Sequence, residues 1–205
     1  AVKNDDDWQL RFPDTSDPDY DQLWEDDLRA WEQAGKQSLV YKTMKAREIW
    51  TAIIESAWAS AEPGVFFVDR YNQMSNSWYY ATINCTNPCG EQGLPSWGVC
   101  NLGALNLSRF VADGEVQWEE LGLAVRYAVR FLDDVIDNTP YFFEENRRQQ
   151  LGERRIGVGT MGLAEMLIHL EIRYCSKKSE EFLEKLYHFM ATEAYTASAE
   201  YSEEK

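Results

Sequence analysis

The chain has 205 residues, 44% hydrophobic and 14% aromatic, enough to bury a sizeable core, so an ordered globular segment is expected rather than a disordered one. A formal net charge of −15 excludes a face that grips nucleic-acid phosphates, because that task needs clustered Lys and Arg; a nucleotide would have to be held locally. There is no run of about 18 apolar residues, and Ala1-Val2-Lys3-Asn4 lacks the basic, apolar, small-residue order of a secretory signal, so the expectation is a cytoplasmic protein with neither a membrane nor a nucleic-acid polymer as partner.

Residues 1 to 36 are dominated by Asp, Glu and Trp, with Pro13 and Pro18 breaking the pattern. They read as a solvated, acidic, loop-rich segment with one short strand where alternation shows, Trp8 to Phe12. From Lys45 to Ala61 the residues Ile49, Trp50, Ile53, Ile54, Ala57 and Trp58 recur at helical spacing, and Pro63-Gly64 supplies a stop. The β-branched and aromatic run Val65 to Val68 predicts a buried strand, and helix, turn, strand is an α/β signature. After a loop at 72 to 77, mixed strand and loop carry every residue suited to chemistry, from Tyr79 to about Phe110. A helix follows over 119 to 137, where Leu123, Val125, Ala128, Val129, Leu132, Val135 and Ile136 wrap more than half the circumference and predict burial on several sides. A short strand at Arg155 to Val158, a helix from Gly162 to His169 and a last helix from Ser179 complete the pass. In that last helix Phe182, Leu186, Tyr187, Met190, Ala194 and Tyr201 form one stripe, read as core packing. The first residue is not Met, and the last helix reaches Lys205 without a Gly, Asn or Pro stop. The sequence thus reads as an internal portion of a longer polypeptide, with residues 1 to 205 forming part of one domain.

Four cysteines, Cys85, Cys89, Cys100 and Cys175, are too few and too unevenly spaced for a disulfide scaffold. Cys85 and Cys89 are four apart, but no CxxC pair or His cluster completes a tetrahedral set, so no metal site is expected. Asn87-Pro88-Cys89-Gly90-Glu91 places an amide, a thiol and a carboxylate at alternate positions, which project to one side where the backbone is extended. Pro88 favours extension at Asn87, and Gly90 permits the dihedrals of a tight loop. A Pro-Cys-Gly turn around an incidental buried cysteine is the competing reading.

The longer stretch decides between them. Asn87-Pro88-Cys89-Gly90-Glu91-Gln92, Leu94-Pro95, Cys100-Asn101-Leu102-Gly103 and Asn106-Leu107 resemble the finger-loop region of ribonucleotide reductase large subunits. Ile54-Glu55-Ser56-Ala57-Trp58-Ala59-Ser60-Ala61-Glu62-Pro63-Gly64-Val65 with Phe67-Val68-Asp69-Arg70 resembles the segment before that loop. Arg154-Arg155-Ile156-Gly157-Val158-Gly159 with Met161-Gly162-Leu163-Ala164 resembles a later strand-to-helix signature. Small departures are Gly93, where Pro is usual, and Ala104, where Ser is usual. The resemblance implies part of a ten-stranded α/β barrel, helix-rich and incomplete, with the Cys89 loop aimed at the barrel centre.

It also implies roles in reducing ribonucleotides to 2′-deoxyribonucleotides. Cys89 would be the thiyl radical that abstracts the ribose 3′ hydrogen, a task for a neutral sulfur shielded from water. Glu91 would take the 3′ hydroxyl proton as general base. Asn87 would hold the ribose hydroxyls and so fix the sugar against the sulfur. Cys100 would be one half of a redox-active disulfide whose partner lies upstream of this chain, with thioredoxin or glutaredoxin as electron donor. Cys85 and Cys175 have no implied role and read as small buried apolar residues. Ten residues separate Cys89 from Cys100, and this compact spacing, with Glu91-Gln92 after Gly90, is similar to the adenosylcobalamin-dependent type rather than to members that use a separate metal-radical subunit. No cobalamin contact can be named from the resemblance. The remaining segments of a reductase and a second copy of the assembled enzyme are the implied protein partners, and this chain alone would be inactive.

Gly157-Val158-Gly159-Thr160-Met161-Gly162 also satisfies the G-x-G-x-x-G dinucleotide fingerprint. A true fingerprint wants a second strand ending in Asp or Glu about 20 residues on, whereas Glu180 and Glu181 open a helix. The glycines therefore read as close strand-to-helix packing. Two alternatives stay open at this point: a non-catalytic α/β interaction module derived from the reductase family, and a nicotinamide-dinucleotide-binding enzyme.

Overall fold

The acidic opening of the chain folds around one tryptophan. In a computed structural model describing residues 1–24 and 27–205, the chain forms two compact units, Ala1–Gly93 and Leu94–Lys205. The alternation at Trp8 to Phe12 does form a strand: β1 (Asp7–Pro13) pairs antiparallel with β2 (Ser38–Lys45), from Asp7 opposite Lys45 to Pro13 opposite Ser38, with a bulge between Leu10 and Arg11. The loop expected across 1 to 36 is partly helical. α1 (Tyr20–Leu23) and α2 (Leu28–Gln33) interrupt it, α2 being capped by Asp27, whose carboxylate accepts from the Arg29 and Ala30 amides. Acidic composition hid these turns, because it signals exposure and says nothing against a short capped helix. The part of that expectation at Glu25 and Asp26 lies outside the described residues. Trp31 is buried, donates its indole N–H to the Gln37 carbonyl at 2.9 Å, and meets the rings of Tyr20 and Trp24 edge-on at about 6 Å.

α3 (Ala46–Ser60) occupies the predicted helix and ends at Ala61 in the left-handed region. Its apolar stripe is mostly uncovered within the unit: Trp58 is 89% exposed and Ile54 is 51% exposed, while Ala46 alone is buried. The strand expected at Val65 to Val68 does not form. Residues 62 to 67 are irregular and Val68 opens α4 (Val68–Met74). Four apolar residues are too few to separate the periods of strand and helix, and Phe66 meets its packing need by lying on Tyr71 of α4, with ring centroids 4.6 Å apart.

In the second unit the α/β pattern is realised as a parallel pair. β3 (Cys85–Thr86) of the first unit and β4 (Gly93–Leu94), at the boundary, are short. β5 (Asn101–Asn106) pairs in parallel with β8 (Ile156–Met161), from Asn101 opposite Ile156 to Asn106 opposite Met161. Between them run a 3-10 turn at Leu107–Phe110, the hairpin β6 (Val111–Ala112) and β7 (Glu115–Val116), α5 (Trp118–Asn138) and α6 (Glu144–Glu153). A long helical crossover is what a parallel pair requires. α7 (Leu163–His169) and α8 (Lys177–Glu204) follow, the latter capped by the Ser176 hydroxyl.

The core lies where α5, α7, α8 and the 3-10 turn meet: Leu107, Leu121, Val125, Met166, Leu186 and Met190 are buried there together. α5 buries one stripe, Leu121, Val125, Val129, Leu132 and Ile136, and not several sides; Leu123, Tyr127 and Phe131 on the other flank are at least half exposed. The predicted stripe of α8 is core at Leu186 and Met190, with Phe182 and Ala194 packed beside them, but Tyr187 is 38% exposed. α8 is also fastened to α5 by Arg126 to Glu193 at 3.1 Å and by the Arg126–Glu200 and Arg130–Glu204 pairs.

Candidate active site

The residues Asn87, Cys89 and Glu91 sit in one tight loop of the first unit. The Gly90 N–H donates to the Asn87 carbonyl at 3.0 Å, closing a turn whose two middle positions are Pro88 and Cys89. Pro88 has the fixed φ such a turn wants, and Gly90 takes φ +79°, a conformation that a side chain resists. The Asn87 N–H donates to the Gln92 carbonyl at 3.1 Å, and the Gln92 N–H returns a bond to Asn87 Oδ1 at 3.0 Å. The extended backbone expected from alternate spacing is therefore replaced by a turn, and Cys89 stands at its tip because Pro and Gly flank it.

This geometry refines the implied roles. Asn87 uses its side-chain carbonyl oxygen to hold the loop closed. Cys89 and Glu91 are both exposed. The shielding expected for Cys89 is not supplied within this unit.

α4 holds the two ends of the loop. Asn72 acts as a substitute strand: its Nδ2 donates to the Ile83 carbonyl at 2.7 Å and its Oδ1 accepts from the Ile83 N–H at 2.9 Å, just before β3. Just after the loop, a Cβ on Gly93 would lie 2.7 Å from the Tyr71 ring and 3.0 Å from Ile83. The glycine at this position thus makes room for Tyr71. Sequence reasoning missed both α4 residues; Asn72 lay in a stretch read as loop.

Cys100, in the second unit, immediately precedes β5 and is half-buried. A Cβ on Gly157 of β8 would come within 3.5 Å of its Sγ and 2.7 Å of the Leu102 side chain. Asn101 ties β5 to α5 by donating to the Leu132 carbonyl at 3.4 Å. The glycines of the apparent dinucleotide fingerprint are accounted for by such contacts. Gly157 admits Leu102 and Cys100, and Gly159 faces the Gly103 carbonyl across the strand pair. Gly162, at φ +71°, leaves space for the Asn106 carboxamide, which caps the 3-10 turn by accepting from Ser108. After α7 the chain enters α8 rather than a second strand, which disfavours the nicotinamide reading.

Cys85 and Cys175 are exposed, contrary to the expectation of small buried residues. Cys85 lies on a two-residue strand, too short to bury its face, and Cys175 takes φ +58° in the turn before α8. A carboxylate cluster that the sequence reading passed over, Asp133, Asp134 and Asp137 on α5, gathers within 4.8 Å. Arg154 reaches Asp133 at 2.7 Å and Asp137 at 2.8 Å, and Lys205 also joins the cluster. The bonds from Arg154 and then Lys205 hold the Asp137 carboxyl down at about 2. Burial raises Asp133, but the same two cations outweigh it and hold it low. With two cations already in place, the cluster is a structural ion-pair network.

Among the described residues, no helix is long and apolar enough to cross a membrane. A groove of about 460 Å³ between α5, β8 and α8 is lined by Val125, Val129, Ile156, Val158, Met190 and Tyr187 among others, and carries no ionisable group besides tyrosine.

Comparison with known proteins points to one family. A family model described as "Ribonucleotide reductase, barrel domain" matches residues 1–205. A "Vitamin B12-dependent ribonucleoside-diphosphate reductase" of Thermoplasma acidophilum is 44% identical over 167 residues, 81% of this chain and 22% of that protein. One of the same description from Mycobacterium tuberculosis is 40% identical over 185 residues, 87% of this chain and 27% of that protein. A "Ribonucleoside-diphosphate reductase large subunit" of Variola virus is 32% identical across 100% of this chain and 27% of its own length. The chain therefore spans roughly a quarter of the length of these relatives.

Proposed function

The chain belongs to the ribonucleotide reductase barrel-domain family, and from that premise we propose that it is an internal part of the catalytic barrel of an adenosylcobalamin-dependent reductase acting on ribonucleoside diphosphates. The whole of residues 1 to 205 is then one portion of a barrel domain that this chain does not close. The observation that carries the reading is the loop Asn87–Gln92, which holds amide, thiol and carboxylate in one closed turn with Cys89 at its tip.

In this reading the ribose lies over the turn. The amide N–H groups of Asn87, with their carbonyl oxygen engaged by Gln92, donate to the ribose hydroxyls and set the sugar's position, the kind of orientation that lowers a barrier by removing motional freedom. Cys89, as a thiyl radical, takes the 3′ hydrogen and becomes a thiol. Glu91 accepts the 3′ hydroxyl proton, a contribution of roughly 10² to 10⁴ for a well-placed base. The 2′ hydroxyl leaves as water with a proton from the thiols, Cys100 and a partner cysteine deliver two electrons and end as a disulfide that thioredoxin or glutaredoxin reduces, and Cys89 returns its hydrogen atom to C3′ and is a thiyl again. The exposure of Cys89 within its own unit requires that other parts of the assembled enzyme exclude water from it. That enzyme would be a cytoplasmic homodimer.

The cofactor's seat is not assigned to this chain. The groove between α5, β8 and α8 is lined by apolar side chains with the hydroxyls of Thr160, Tyr187, Tyr195 and Ser198, and none of these marks it as a seat for a corrin. No step is derived through it.

The test is assembly of this chain within a full-length reductase and assay of deoxyribonucleotide formation with and without adenosylcobalamin. Product only with the cobalamin supports the reading. No product under either condition favours an interaction module, and product without cobalamin overturns the cofactor assignment. Cys100→Ser in that enzyme is expected to stop thioredoxin-driven turnover.

A further inference from the structure

We infer that Gln150 of α6 is a positioning residue for Cys100, acting through the backbone of the turn that delivers the thiol. This rests on the reading of Cys100 as half of a redox couple. Gln150 is 1% exposed and is one of two buried polar side chains among the described residues. A buried amide in an otherwise polar, exposed helix needs a reason, since burying it costs free energy unless its bonds are made. Its Oε1 accepts the N–H of Val99, the residue directly before Cys100, at 3.3 Å.

Two further contacts from the same helix grip the same turn. Asn146, one helical turn earlier, donates its Nδ2 to the Trp97 carbonyl at 2.8 Å. Phe143, the N-cap of α6, packs its ring 5.4 Å from that of Trp97. The turn itself is closed by the Gly98 N–H donating to the Pro95 carbonyl at 3.0 Å, with Trp97 at φ +63°. A bulky residue in the left-handed region persists only where its surroundings over-determine it. Here three positions on one face of α6, at 143, 146 and 150, do so. Past the turn, Cys100 lies against Gly157 of β8, so loosening α6 frees the thiol from one side while the strand pair still holds the other.

The consequence is specific to one cysteine. Gln150→Met keeps the volume and removes the acceptor; Gln150→Glu keeps an acceptor at the same reach. The assay is alkylation of this chain by a maleimide across pH 6 to 9, quantified for each cysteine by peptide mass. Gln150→Met should raise the Cys100 rate roughly three- to tenfold, the scale on which one hydrogen bond holds a segment closed. Cys89 and Cys175 should keep their rates, and Gln150→Glu should return Cys100 close to the parent. Asn146→Ala, at a half-buried position that does not threaten folding, should raise Cys100 in the same direction.

An unchanged Cys100 rate in both Gln150→Met and Asn146→Ala overturns the inference, as does an equal rise at all four cysteines, which would mark general loosening. If Gln150→Met does not fold, Asn146→Ala decides alone. The readout needs no turnover, so failure here leaves the role of Cys100 to be judged by Cys100→Ser in the assembled enzyme.

Discussion

Substituting Gly162 by Ala should destabilise the second unit far more than an exposed glycine position would suggest, and the excess should vanish when Asn106 is also removed. Gly162 opens α7 at φ +71°, so an alanine there costs about 1 to 2 kcal/mol in backbone strain alone. Its Cβ would lie 2.1 Å from Asn106 Oδ1, which forces the carboxamide to leave. That side chain accepts from the Ser108 N–H at 3.3 Å and the Ser108 hydroxyl at 2.9 Å, two bonds together contributing about 2 kcal/mol. Gly162→Ala should then cost about 3 to 4 kcal/mol, and Asn106→Ala about 2 kcal/mol. The double variant should cost about the same as Gly162→Ala, since the bonds can be lost only once, giving a coupling near 2 kcal/mol. Urea unfolding followed by the helical signal of α5 and α8, with linear extrapolation, measures all three. Additivity within about 0.5 kcal/mol would refute the packing account of this glycine.

Other outcomes follow from the same structure. Gly90→Ala, where a Cβ meets nothing within 4 Å, should cost only the strain of its positive φ, about 1 to 2 kcal/mol in the first unit's unfolding. Leu121→Ala, fully buried between α5 and its neighbours, should cost about 2 to 5 kcal/mol by the same urea assay. Asp137 is held at about 2 when folded, below its ordinary 3.8. A depressed carboxylate stabilises above its unfolded value and loses that contribution as pH falls through the folded one. Stability should therefore drop between about pH 4 and pH 2, and Arg154→Met should flatten that slope in midpoints taken at each pH. Asn72→Ala should raise the alkylation rate of Cys89 several-fold while leaving Cys175 unchanged, because the loop loses its anchor at Ile83.

How much of this was legible in sequence depended on the length scale of the signal. The helices α3, α5 and α8 were readable because each runs through several turns with an apolar stripe. The depth of burial on α3 and α5 was not, since periodicity names a face without saying whether anything in this chain covers it. Val65 to Val68 misled because four residues carry no decisive period. α2 went unseen because it is under two turns long, and α6 because it carries neither an apolar stripe nor a side-chain cap. The Pro88-Cys89-Gly90 turn was legible from local chemistry, but the alternation argument assumed extension that the turn itself prevents. Asn72 and Gln150 carry no local signature. Each is an amide whose partner lies 11 or 51 residues away, and such pairing is set by tertiary contact.

The most direct measurement is Cys89→Ser in the assembled reductase, compared with Cys175→Ser and assayed for deoxyribonucleotide under single-turnover conditions with prereduced enzyme. The account predicts no product from Cys89→Ser, with nucleotide binding intact and Cys175→Ser matching the parent. Deoxyribonucleotide formed by Cys89→Ser at the parent rate would contradict it.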